Sequence, residues 1–148
     1  MKIEIKKIVK DLPLREYAAE YGDVALTVWV NPPKKLTDER LGHLKQSSGL
    51  LAELDAFAKL NRDGGAQQVD GAVARMDEIG REIAALTIEM RKWMAEIWSQ
   101  GPEETRMTMD ELGDFVEQCD EHDPQLYAWL VSRTLEMIQD YRTGKKKF

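Results

Sequence analysis

The densest run of reactive side chains is Cys119-Asp120-Glu121-His122-Asp123. Cys119 and His122 stand three residues apart, a spacing that lets two side chains meet on one helix face. Together they would be a thiol nucleophile and its base. Asp120, Glu121 and Asp123 oppose this, because neighbouring negative charge disfavours a thiolate. The same run offers five potential metal ligands. Consecutive residues cannot all point at one ion, and no second cluster completes a site. The expectation is an acidic helix end whose Asp123 caps the next helix. Asp77, Glu78, Glu82 and Glu89 are the other candidates, as carboxylates for the divalent metal of a nucleotide hydrolase. Arg75, Arg81 and Arg91 interleave with them, which favours ion pairs along a solvated helix face.

No further catalytic signature is present. Gly64-Gly65 lacks the spacing of a phosphate or dinucleotide loop, and there is no Cys-x-x-Cys, His-Glu-x-x-His or Gly-x-Ser-x-Gly. The sequence therefore predicts no enzyme, no cofactor and no metal site. The chain has 148 residues, about one domain, with 43% hydrophobic and 32% charged residues and a net charge of −6. That balance describes a globular chain and argues against a non-specific nucleic-acid binder, which needs a positive surface. No apolar run approaches the ~20 residues that span a bilayer. One cysteine and no signal-peptide pattern predict a reducing, cytoplasmic setting. The acidity is local. Nine acidic side chains and one basic one, Arg106, give residues 103–123 a charge of −8 and leave the rest of the chain at +2.

The elements that must position these residues are mostly helices. Ile3 and Ile5 alternate with Lys2, Glu4 and Lys6 as a first strand within Lys2–Lys10, with Leu12-Pro13-Leu14 as a connection. Val24–Val30 alternates as a second strand, and Asn31-Pro32-Pro33 stops it. An antiparallel two-stranded ribbon follows, which must lie on helices. Thr37 is the expected N-cap of a helix over 37–62, with Leu41, Leu44, Leu51, Leu54, Phe57 and Leu60 at helical spacing. A Gly-rich hinge is expected at 63–66. The helical part, 67–142, opens with one long central helix of about 30 residues, or roughly 45 Å. Its expected seam is Val69, Val73, Met76, Gly80, Ile83, Thr87, Met90, Met94 and Ile97, widened by Ala72, Ile79, Leu86 and Trp93. Thr108 and Glu111 form a capping box. Asp123-Pro124 starts a last helix, and 143–148 is a basic tail. The whole is a single mainly α domain with a small N-terminal two-stranded β ribbon (α+β): four or so helices around one core.

Met76, Met90, Trp93, Met94 and Trp98 gather on the long helix. Methionine is flexible and polarizable, so a Met/Trp-lined groove suits varied amphipathic helices. These five residues are the candidate client-binding surface.

The order of features resembles the tail assembly chaperones of long-tailed bacteriophages or prophages. It runs from Leu12-Pro13-Leu14-Arg15-Glu16-Tyr17 and Val24–Pro33, through Trp93-Met94-Ala95-Glu96-Ile97-Trp98, to Met107-Thr108-Met109-Asp110-Glu111-Leu112. Asp123-Pro124-Gln125-Leu126-Tyr127-Ala128-Trp129-Leu130 and a lysine-rich end complete it. The resemblance implies a non-enzymatic protein that coats the tape-measure protein, recruits tail-tube subunits in the host cytoplasm and is absent from the virion. It also implies a second, longer product made by frameshifting, for which Lys145-Lys146-Lys147 is a candidate slip site. A homo-oligomer is open on the sequence. A head–tail connector or other small phage structural protein is the alternative reading, and a small carboxylate-dependent metal hydrolase the second.

Overall fold

A computed structural model describes residues 1–62 and 71–144. Among the described residues it has two strands, β1 (Val9–Pro13) and β2 (Ala25–Trp29), joined through two short 3-10 turns, Leu14–Glu16 and Ala19–Tyr21. Four helices follow: α1 (Lys34–Arg62), α2 (Ala72–Trp98), α3 (Met109–His122) and α4 (Pro124–Arg142). The chain is thus mainly α with a small N-terminal antiparallel ribbon. The Gly-rich hinge expected at 63–66, Val69, and Lys145–Phe148 of the basic tail lie outside the described residues. By backbone packing the chain divides into two compact units, Met1–Pro33 with Met94–Phe148, and Lys34–Trp93.

In the first unit the ribbon pairs Val9 with Trp29 and Pro13 with Ala25. The first strand therefore starts later than its alternation predicts and runs through Leu12-Pro13. Ile3 and Ile5 are exposed and unpaired with any strand. The reason lies in the partner. Pro32 and Pro33 end the second strand, so nothing continues the ladder beside residues 2–7. Val30 N–H still donates to the Ile8 carbonyl at 3.0 Å, and Asn31 finishes the edge. Its Oδ1 accepts from Ile8 N–H at 2.7 Å and its Nδ2 donates to the Lys6 carbonyl at 2.8 Å.

Leu26, Val28 and Val30 form the buried face of the ribbon, while Val24, expected on it, is exposed. Thr27, on the other face, lies against Gly101. A Cβ at Gly101 would stand 3.0 Å from Thr27 Cγ2, so any larger residue there would need Thr27 to give by a few tenths of an ångström. The capping box at the start of α3 forms as expected: Glu111 N–H donates to Thr108 Oγ1 at 3.1 Å and Thr108 N–H to Glu111 Oε1 at 3.0 Å. Asp123 caps α4, accepting from Leu126 N–H at 3.2 Å. Leu112, Val116, Leu126, Leu130, Met137 and Ile138 bury the inner faces of these helices. Tyr17 ties the turn after β1 to this junction by donating its hydroxyl to Asp123 at 2.9 Å.

The second unit is an antiparallel helical hairpin of α1 and the α2 residues up to Trp93. Its core is Leu50, Ile79 and Leu86, with Leu54, Phe57, Ile83 and Met90 packed against it. α1 begins at Lys34, three residues before the expected start, so Thr37 lies inside the helix, and its Oγ1 donates to the Lys34 carbonyl at 3.0 Å. A threonine in the first turn can satisfy itself this way without capping the end. α2 begins just after Gly71, whose φ of 84° suits glycine, and runs unbroken through Gly80. At 27 residues α2 is near the length expected of the long central helix, and α1, at 29, is no shorter than it.

Candidate functional site

Of the five residues expected to form a client groove, only Met76 is exposed. Trp93, Met94 and Trp98 are 3%, 1% and 2% exposed. Trp93 donates its indole N–H to the Leu36 carbonyl at 2.8 Å, and the Arg40 guanidinium lies 5.6 Å over its ring. Trp98 donates to Thr134 Oγ1 at 3.0 Å, with Tyr127 edge-on to its ring. Met90 is half-buried against the hairpin core, and Met76 is at the edge of exposure. From Met90 onward the Met/Trp stripe is packed inward, because its large side chains are what the neighbouring elements close upon.

The reactive run separates in a similar way. Cys119 is buried, whereas the His122 side chain is 78% exposed with its Nε2 3.8 Å from Glu121. Asp123 is spent on the α4 cap and on Tyr17. Its hydrogen bond, ahead of burial, pushes the Tyr17 phenol above its ordinary pKa. On α2, Glu89 pairs with Lys92 at 3.6 Å, and Glu78 and Glu82 lie 3.3 and 3.7 Å from Arg75. The stronger partner of Arg75 was not legible from spacing. Glu53 of α1 takes Arg75 Nε and Nη2 at 2.7 Å each. Such a fork needs two helices brought side by side. It holds the Glu53 carboxyl below the ordinary carboxylate range, and burial opposes it only in part. Among the described residues no three His, Cys, Asp or Glu side chains gather as a metal site. No helix there is long and apolar enough to cross a membrane.

The exposed apolar surface of the hairpin lies elsewhere, and sequence periodicity assigned it to the core. On α1 the inward row is Leu36, Arg40, His43, Ser47, Leu50 and Leu54, at alternating fours and threes. Leu41, Leu44 and Leu51 each follow one of these by a single residue and are 62%, 43% and 55% exposed. On α2 the inward row is Ala72, Ile79, Leu86 and Trp93, and Val73, Gly80 and Thr87 follow it by one. One residue is a turn of about 100° around a helix. Viewed along the hairpin, the two antiparallel helices wind in opposite senses, so positions one place after the seam emerge on the same flank. That flank carries Leu41, Leu44 and Leu51 with Asp55 from α1, and Val73, Gly80 and Ala84 with Arg91 from α2. Positions one before the seam emerge on the opposite flank, where Glu53, Glu78 and Glu82 surround Arg75. One side of the hairpin is closed by ions and the other is mainly apolar, with Leu41, Leu44, Leu51 and Val73 exposed. An open flank with this heptad spacing offers the seat of a further helix.

No protein family model, no curated protein and no solved structure matches this chain.

Proposed function

We propose that the protein is a tail assembly chaperone of a long-tailed bacteriophage or prophage, and that it seats amphipathic helices of the tape-measure protein on the open flank of its α1–α2 hairpin. The observation that carries this reading is the exposure of Leu41, Leu44 and Leu51 in a row at helical spacing. A long tape-measure helix presents an apolar stripe at the same period, and covering it reversibly keeps it from aggregating. The acidic segment 103–123, at −8, supplies solubility and mutual repulsion between copies placed side by side on one client. It is also the natural place for a tail-tube subunit to be met by charge rather than by apolar burial.

Co-expression with a tape-measure protein from the same phage or prophage genome tests this. The wild-type chain is expected to keep the client soluble and to co-purify with it. Leu44→Glu with Leu51→Glu, at positions already facing water, should leave the helical circular dichroism unchanged and cut capture at least tenfold. Equal capture by that variant overturns the assignment of the flank. Co-purification with finished particles instead of free client would place the chain among connectors.

A further inference from the structure

We infer that in the free protein the open flank is covered by the same flank of a second copy, in an antiparallel, twofold-symmetric pairing of hairpins. A two-helix hairpin is one layer, and a second layer laid on it makes a four-helix bundle, the smallest closed solution for helices with this pattern. Exposed apolar surface and charge both point to a copy of this chain as that layer.

Leu41, Leu44, Leu51 and Val73 are between 43% and 74% exposed. With Ser48, Ala58, Gly80, Ala84 and Thr87 between and beside them, these side chains make a continuous strip along both helices. A standard interface takes about 800 Å² from each partner, a little over half of it apolar. One flank against another supplies the apolar centre of such an interface.

Charge selects both the flank and the direction. Around the seam of the opposite flank, Glu53, Glu78 and Glu82 share Arg75, so two such flanks would meet with excess negative charge. In its inner rows the open flank has one carboxylate, Asp55, and one guanidinium, Arg91, so two such flanks meet without excess charge. On α1, Lys45 stands at the outer edge, ten residues or about 15 Å along the helix from Asp55. Both are exposed, and neither makes an ion pair among the described residues. An antiparallel twofold axis near residue 50 lays each Lys45 over the Asp55 of the other copy, and the contact occurs twice. A parallel pairing of the two α1 helices would set like charges together.

The inference does not depend on the chaperone reading, since it concerns the chain alone. Where both hold, a client helix displaces the second copy from the same flank. Sedimentation of the full chain without any client is the test. The wild type is expected to be a dimer at about 100 μM. Leu51→Glu should be monomeric with unchanged helical circular dichroism. Lys45→Asp and Asp55→Lys should each weaken the dimer about fivefold or more, since each substitution breaks the pair at both symmetry-related places. The double reversal should restore it to within about threefold of wild type. A monomeric wild type, a Leu51→Glu variant that dimerises as well as wild type, or a double reversal no better than the single ones each overturns the inference.

Discussion

Trp98 shows how much of this protein rests on single polar atoms placed inside an apolar core. Its ring is buried, and its one donor finds Thr134, itself 0% exposed. Thr134→Val keeps the volume but leaves a buried indole N–H without an acceptor, and should cost about 1–3 kcal/mol in chemical denaturation. Thr134→Ser keeps the bond and loses one methyl, so it should cost about 1 kcal/mol. A Ser variant as damaging as Val would show that packing, not the hydrogen bond, fixes the indole. The sequence marked Trp98 as part of a stripe. It gave no sign of Thr134, 36 residues away, because a hydrogen bond between two helices has no period along the chain.

At the scale of elements, short-range chemistry was the legible part. The α3 capping box and the Asp123-Pro124 start of α4 were readable because every atom involved lies within four residues. Thr108→Ala removes the acceptor for Glu111 N–H and should destabilise the chain by about 0.5–2 kcal/mol, with the loss measured as a lower denaturation midpoint. Thr108→Ser should retain most of it. The long helices were legible as helices but not in rotation. On α1 the leucine-rich row, Leu41, Leu44 and Leu51, has the spacing of a buried face, yet Arg40, His43 and Ser47 face inward. Trp93 decides this. Its indole N–H reaches Leu36, and its ring takes the Arg40 guanidinium, which fixes α1 about 100° from the rotation its apolar periodicity alone would choose. A helix with two apolar rows one residue apart has no single amphipathic face, and only the partner helix settles which row is buried.

Across the whole molecule, charge is tied to pH in opposite senses in the two units. In the hairpin, Glu53 titrates lower in the fold than its ordinary value of 4.5, chiefly through the hydrogen bonds from Arg75. A depressed carboxyl contributes stability that is present above the ordinary value and lost as pH falls through the lowered one. In the ribbon-bearing unit, Tyr17 titrates above its ordinary value of 10.0 through its bond to Asp123. That contribution is present below the ordinary value and lost as pH rises through the raised one. Denaturation midpoints followed from about pH 6 to 3 should therefore fall less steeply for Glu53→Gln than for wild type. Identical slopes would show that the Glu53–Arg75 fork does not couple folding to protons.

The sequence by itself determined the class of the protein, the presence of a two-stranded ribbon but not the span of its first strand, the ends of α3 and α4 closed by local caps, and the concentration of negative charge at 103–123. These follow from patterns a few residues long, or from simple counting. Tertiary structure decided which apolar row each hairpin helix buries, that Met90, Trp93, Met94 and Trp98 are packed inward while Met76 is not, and that Glu53 meets Arg75. It also decided that the leucines expected inside α1 share an outer flank with Val73, Gly80 and Ala84 of α2. The reason is physical. Burial is a relation between two surfaces, and a periodic row specifies only one of them.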